Sequence, residues 1–249
     1  MIPTNTAMFQ DYSQYDSEAY RVWRLLFSRQ FEQLSSFACQ PYLTCLQDLY
    51  PVLSPDHPPR FSDLNRLLRQ RNGWSIEVVD GFLDVKEFFH LLTQRRFPSS
   101  TWLRKMDQLD YLEEPDMFHD IFGHIPLFMD KAYGNYAEKL GQIGMQFLDD
   151  DEMIRRLQRL YWFTVEFGLM RDKEGQIKAY GAGICSSIGE VKHIHENPEV
   201  EIVDFELDEV LEREFIISEV QKRYYVIDSF EQLYGTLEEL ERRFRLQAA

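Results

Sequence analysis

Between residues 12 and 49 the apolar positions recur at helical intervals. Tyr20, Trp23, Leu26 and Phe27 share one face, and Phe31, Leu34 and Phe37 continue it. The pattern predicts one long helix that ends before Pro51, Pro55, Pro58 and Pro59, which mark an irregular loop. A further helix is expected over 61–70, with Ser62 as its cap. Residues 74–79 alternate like a short strand, and Gly81 breaks it. Asp84 can cap a helix over 85–94, and Pro98 ends that region. Glu114, Pro115 and Asp116 open another helix, with proline at the first helical position and acids complementing the dipole. This helix should stop near Gly123, with Pro126 just beyond. Long helices are predicted over 132–147 and 151–169. Beyond Gly175, residues 177–180, 216–218 and 224–227 read as short strands, and Ser229 caps a final helix to Phe244. The expected class is mainly α with a few short β-strands (α+β), without the βαβ alternation of a doubly wound sheet.

No repeat and no Pro/Gly/Ser-rich linker divides the 249 residues, so one domain is expected over 1–249, with 1–11 as a flexible N-terminus. A chain of this length buries enough surface for a thick core and a pocket. A formal charge of −15 repels phosphate backbones and anionic bilayers, so neither nucleic acid nor a membrane is an expected partner. Cys39, Cys45 and Cys185 are odd in number and form no CxxC, which suits reduced thiols in the cytoplasm. The start lacks a secretory pattern, and no stretch approaches the ~18 apolar residues that span a bilayer.

The chemistry gathers around two of the six histidines. His57 lies in the proline loop, and His90 follows two phenylalanines on a helix. His193 and His195 precede a polar stretch and read as surface residues. His119 and His124 instead flank the apolar stretch of 119–124, broken by Gly123. In a straight α-helix, residues five apart point about 140° from each other and cannot share a metal. A helix that ends at Gly123 would let His124 swing back toward His119. Glu166 lies in the most apolar helix of the chain, with Trp162 four residues before it. A carboxylate there needs a cation. Either an Arg or Lys pairs with it, or a metal does. Two imidazoles and one carboxylate with open positions form the ligand set of non-haem iron(II) oxygenases. No Walker loop, G-x-G-x-x-G or G-x-S-x-G is present.

Three segments carry a resemblance: 113–128 (EEPDMFHDIFGHIPLF), 160–169 (LYWFTVEFGL) and 178–190 (KAYGAGICSSIGE). In this order they resemble the signatures of the pterin-dependent aromatic amino acid hydroxylases, in particular the short bacterial phenylalanine 4-hydroxylases. The likeness runs from about Tyr12 to the last helix. It implies the family's catalytic-domain fold, mainly helical with iron in a deep cleft. The regulatory domain and tetramerisation helix of the animal enzymes are expected to be absent, and a monomer is expected. The resemblance implies His119, His124 and Glu166 as iron(II) ligands. It implies a tetrahydrobiopterin-type cofactor held by Gly81, Leu83, Val85, Phe88, Asp120 and Tyr161. Asp120 stands where the family usually has a longer glutamate. For the amino acid substrate it implies Arg104 on the α-carboxylate, a bidentate task that suits a guanidinium. Asp116 would orient Arg104, Ser186 would add a hydrogen bond, and Pro115, Trp162 and Gly183 would shape the ring pocket. Leu112 replaces a threonine of the animal enzymes. Ile217 falls where the phenylalanine enzymes are apolar and the tyrosine enzymes acidic.

The expected activity is hydroxylation of L-phenylalanine to L-tyrosine by dioxygen, with iron and a tetrahydropterin, in phenylalanine catabolism. The alternatives are the same fold with tyrosine, tryptophan or another reductant, and, in a different class, a zinc hydrolase or a metal-stabilised binding protein.

Overall fold

The computed structural model describes residues 8–247 except Phe82, Tyr111, Glu113 and Ser218. Residues 1–7 of the expected flexible start, Glu113 of the first motif and Ser218 of an expected strand therefore lie outside the described residues. The first amphipathic run folds as two helices rather than one, α1 (Ser17–Phe37) and α2 (Gln40–Leu49). Pro41 in the first turn of α2 lacks an N–H and would clash with the carbonyl four residues back, so Ala38 and Cys39 are extended. Helix α3 (Phe61–Asn72) ends at Gly73, whose φ of 82° is the left-handed conformation that closes a helix. Ser62 does not cap α3. It sits inside the first turn, and the N–H of Phe61 is taken by Gln10 Oε1 at 2.9 Å. Gln10, placed by the sequence in the flexible start, is thus anchored, and its Nε2 also donates to Pro59 O at 2.9 Å.

Strand β1 (Ser75–Val78), helix α4 (Val85–Thr93) and strand β2 (Arg96–Ser99) follow, and β1 and β2 pair in parallel with Glu77 opposite Pro98. Pro98 lies within a strand instead of ending the region, because an edge position needs no ladder bond from its nitrogen. Next come α5 (Lys131–Gln146), α6 (Asp151–Tyr161), β3 (Leu169–Arg171), β4 (Ile177–Ala179), α7 (Ala182–Cys185), α8 (Ile188–Glu196), β5 (Glu201–Asp204), α9 (Leu207–Glu212), β6 (Arg223–Ile227) and α10 (Phe230–Gln247). The second sheet runs β4-β3-β6-β5, with β3 antiparallel to β4 and parallel to β6, which is parallel to β5. The strand expected over 216–218 is absent at Ile216 and Ile217, which lie in an irregular turn. Helix α8 carries His193 and His195 and ends at Glu196, where the polar stretch that follows the histidines leaves the helix. The predicted class, mainly helical with few strands, is the observed one.

Aspartates begin four of these helices. Asp16, Asp84, Asp130 and Asp150 each accept the N–H three residues on. The core then locks the elements that matter for the site. Phe118 stacks on Phe122 (4.9 Å between centroids, 13° between planes), Trp23 and Phe27 of α1 meet that pair edge-on, and Tyr42 of α2 donates to Phe122 O at 2.6 Å. Helices α4 and α5 approach closely because Gly141 and Gly144 face α4. A Cβ at 144 would lie 2.4 Å from the Phe89 ring. We expect Gly144→Ala to destabilise the fold by about 1–3 kcal/mol through overpacking. Thermal unfolding should register this as a midpoint lowered by roughly 2–4 °C per kcal/mol; an unchanged midpoint would contradict the close approach.

Candidate metal centre and its cavity

The first motif is wound differently from the expectation. Residues His119–His124 form a π-helical segment, continued by a 3₁₀ turn over Ile125–Met129. The helix neither starts at Pro115 nor stops at Gly123. Asp116 is its cap, with Oδ1 accepting from His119 N at 3.1 Å and its carbonyl accepting from Asp120 N at 3.0 Å. A π turn closes on i→i+5 bonds, so it takes in more residues than an α turn, and side chains five apart come to lie one above the other. The Nε2 atoms of His119 and His124 are 3.1 Å apart. Winding, not a break, makes the pair converge. Gly123 serves another purpose: a Cβ there would lie 2.9 Å from Ala182 O, so the glycine lets α7 pack against the π turn.

Helix α6 also passes into a π turn, Trp162–Glu166, which ends the helix at Glu166 rather than at 169. Its last residue faces the imidazoles, with Oε1 3.1 Å from His124 Nε2 and Oε2 3.6 Å from His119 Nε2. Glu166 therefore meets two imidazoles rather than an arginine or lysine. One ligand atom from each of the three residues lies within 4.8 Å of the others, a geometry able to hold a metal ion. Burial by itself raises the Glu166 carboxyl, but His124, His119 and the Tyr161 hydroxyl outweigh it and hold it down at about 2. Burial pulls His119 down to about 4 against the attraction of Glu166. At neutral pH the site thus offers a carboxylate and a neutral imidazole. Ser186 Oγ gives its one hydrogen to Ala182 O at 2.7 Å, so at 2.9 Å it accepts from His119 Nδ1. That bond leaves the His119 Nε2 lone pair directed at the centre, the orienting role expected of a group behind a metal ligand.

A cavity of about 360 Å³ opens over the three side chains. Gly81, Leu83, Val85, Phe88, Asp120 and Tyr161 all line it, as do Pro115, Trp162 and Ile217. Phe88 and Tyr161 meet edge-on at 5.2 Å. Burial raises Asp120 to about 7, although its Oδ2 accepts from the Ser100 amide at 2.8 Å. Arg104, Asp116, Gly183 and Ser186 connect to the cavity through its wall residues. Asp116 accepts from Arg104 Nε (2.8 Å), Arg104 Nη2 (2.9 Å) and His119 N, while Gly183 packs against the Glu166 carbonyl. His90 is exposed, His57 is half-buried in the proline loop, and His193 and His195 ride on α8, away from the cluster.

Sequence reasoning missed several wall residues, among them Phe97, Ser100, Gln158 and Phe215. Gln158 had a signal, standing three residues before Tyr161 on one helical face. Phe97, 4.6 Å from the His124 ring, could have been found had β2 been recognised. Ser100 had none.

A family model described as biopterin-dependent aromatic amino acid hydroxylase matches residues 10–247. A phenylalanine-4-hydroxylase of Ralstonia nicotianae is 40% identical over 204 residues, 82% of this chain and 64% of that protein. One of Vibrio cholerae is 37% identical over 197 residues, 79% of this chain and 66% of that protein. The chain thus spans slightly less than two thirds of the length of these relatives. The structure of Chromobacterium violaceum phenylalanine hydroxylase with bound iron(III) and 7,8-dihydrobiopterin superposes with a TM-score of 0.89 at 37% identity, covering 96% of this chain and 86% of that one.

Asp116 is fully buried and Arg104 is 9% exposed, so removing one partner strands a buried charge. Asp116→Ala should cost about 3–5 kcal/mol in denaturant unfolding. Adding Arg104→Met should recover part of that loss; a double variant as unstable as the sum of both would speak against a coupled pair.

Proposed function

This chain belongs to the family of biopterin-dependent aromatic amino acid hydroxylases, and from that premise we propose that it hydroxylates L-phenylalanine to L-tyrosine with dioxygen. Iron(II) would be held by His119, His124 and Glu166, and a tetrahydropterin would occupy the cavity beside it. The observation that carries this reading is the convergence of two Nε2 atoms and a carboxylate at the wall of a cavity of about 360 Å³. The donor set fits ferrous iron: two imidazoles and one carboxylate, with positions left open. Bound together, iron and tetrahydropterin supply the reduction of dioxygen that puts one oxygen atom on an aromatic ring.

The chain's own residues bind and orient. Phe88 would stack on the pterin, with Tyr161 holding that ring edge-on, and Gly81, Leu83 and Val85 would frame its edge. The Asp120 carboxyl would take up a pterin N–H. Arg104 Nε and Nη2 are spent on Asp116, and Nη1, which has no partner among the described residues, is the group available to a substrate carboxylate. Ser186 would contribute both through His119 and beside that carboxylate. Pro115, Trp162 and Gly183 would enclose the aromatic ring, and the apolar walls keep water from it. Ile217 on the rim supports phenylalanine over a hydroxylated ring, since it offers the hydroxyl no partner. The names of the relatives support the same substrate. Three buried free cysteines suit the reducing cytoplasm, and no helix among the described residues is long and apolar enough to cross a membrane. We place the protein there as a monomer.

Iron(II) loaded without oxygen, then mixed with phenylalanine, a tetrahydropterin and air, should yield tyrosine by mass spectrometry; iron-loaded protein that leaves phenylalanine unchanged refutes the substrate. Glu166→Ala should abolish stoichiometric iron binding in calorimetry while the protein stays folded, and undiminished binding would remove Glu166 from the ligand set. Phe88→Ala should raise the KM for the pterin about tenfold or more, the scale of one lost aromatic stack, and leave that for phenylalanine nearly unchanged.

A further inference from the structure

The segment after α9 brings Phe215 and Ile217 to the cavity beside Trp162, and one side chain fastens that segment to the indole. Gln221 is only 6% exposed. Its Oε1 accepts from Trp162 Nε1 at 3.0 Å, and its Nε2 donates to the carbonyls of Glu219 at 3.0 Å and Ile216 at 3.4 Å. The partners dictate the orientation of the carboxamide, because an indole only donates and carbonyls only accept. The Gln221 carbonyl in turn accepts from His193 Nε2 at 2.8 Å, which hangs the segment from α8. Trp162 also stacks on Phe215, with centroids 4.5 Å apart and planes 13° apart. The indole is therefore held by edge and by face, and both holds belong to the segment that carries Ile217, a residue otherwise 73% exposed.

We infer that Gln221 is a positioning residue for selection of the aromatic substrate: through its bond to Trp162 it sets the indole and the Phe215–Ile217 segment as one rigid wall against the substrate ring. The inference rests on the cavity being an aromatic amino acid site. An apolar pocket distinguishes similar rings weakly, and a wall free to yield distinguishes them less. Glutamine alone meets the demands of the position. Glutamate would turn an acceptor toward two carbonyls, and leucine would leave the indole N–H without its carboxamide partner.

The test compares wild type, Gln221→Leu, Trp162→Phe and the double variant, with Gln221→Glu as a closely shaped second variant. Backbone amide exchange over 213–222 is read on the protein without substrate. Phenylalanine binding and turnover are read on the iron-loaded protein. Gln221→Leu and Gln221→Glu should both speed exchange across this segment. Gln221→Leu should raise the KM for phenylalanine about five- to tenfold, the equivalent of one net hydrogen bond, and narrow the preference for phenylalanine over tryptophan by a similar factor, with the pterin KM unchanged. In the Trp162→Phe background the Gln221→Leu effect on KM should vanish, since the shared bond is already gone. Additive effects, unchanged exchange, or pterin and phenylalanine constants rising together with a lower melting temperature would each overturn the inference, the last by revealing a general structural role. A wild-type protein that makes no tyrosine would refute the substrate reading separately, while the exchange measurements would still decide whether Gln221 fastens the wall.

Discussion

The Glu166 carboxylate, at the end of the π turn that closes α6, stays ionised because two imidazoles face it. Burial alone drives Glu166 toward its protonated form, and His124 and His119 reverse that tendency. The cavity opens over this arrangement. The arrangement requires two helices to be wound as π turns at their functional ends, His119–His124 and Trp162–Glu166. A π turn wastes packing density and hydrogen-bond geometry relative to an α turn, which is why such turns are short and cluster at functional sites.

The surroundings offset that cost. The back of the first π turn carries Phe118 and Phe122, which pack on Trp23 and Phe27, and the Phe122 carbonyl takes the Tyr42 hydroxyl. Its start is capped by Asp116, whose other oxygen is engaged by Arg104. One buried carboxylate therefore fixes both the His119 backbone and the Arg104 guanidinium. On the far side, Gly123 and Gly183 allow α7 to lie directly against both π turns, which brings Ser186 to His119. The cavity wall and the His119–His124–Glu166 cluster are thus hung on the same small set of rigid contacts.

The contrast between His119 and His124 and the H-x-H pair is instructive. His193 and His195 are two apart on a helix, so they point different ways, one to the Gln221 carbonyl and one against the Phe37 ring. Spacing that would suit a metal on a strand serves packing on α8. His119 and His124, unfavourably spaced for an α-helix, converge because the helix is not α.

The chain's local pattern determined the helical class, the aspartate cap at Asp84, the strands near Trp74 and Tyr224, and singled out His119, His124 and Glu166 as the candidate cluster. Each of these rests on periodicity, on capping chemistry or on the cost of burying a lone carboxylate, all of which act within a few residues. Only the tertiary structure decided how these three side chains meet. The π winding, the division of the first helix at Ala38 and Cys39, the parallel pairing that absorbs Pro98, and the walls supplied by Ser100, Phe215 and Gln221 all depend on contacts between distant segments. Helix type is set by small energy differences that tertiary packing overrides, and a cavity wall belongs to no single stretch of sequence.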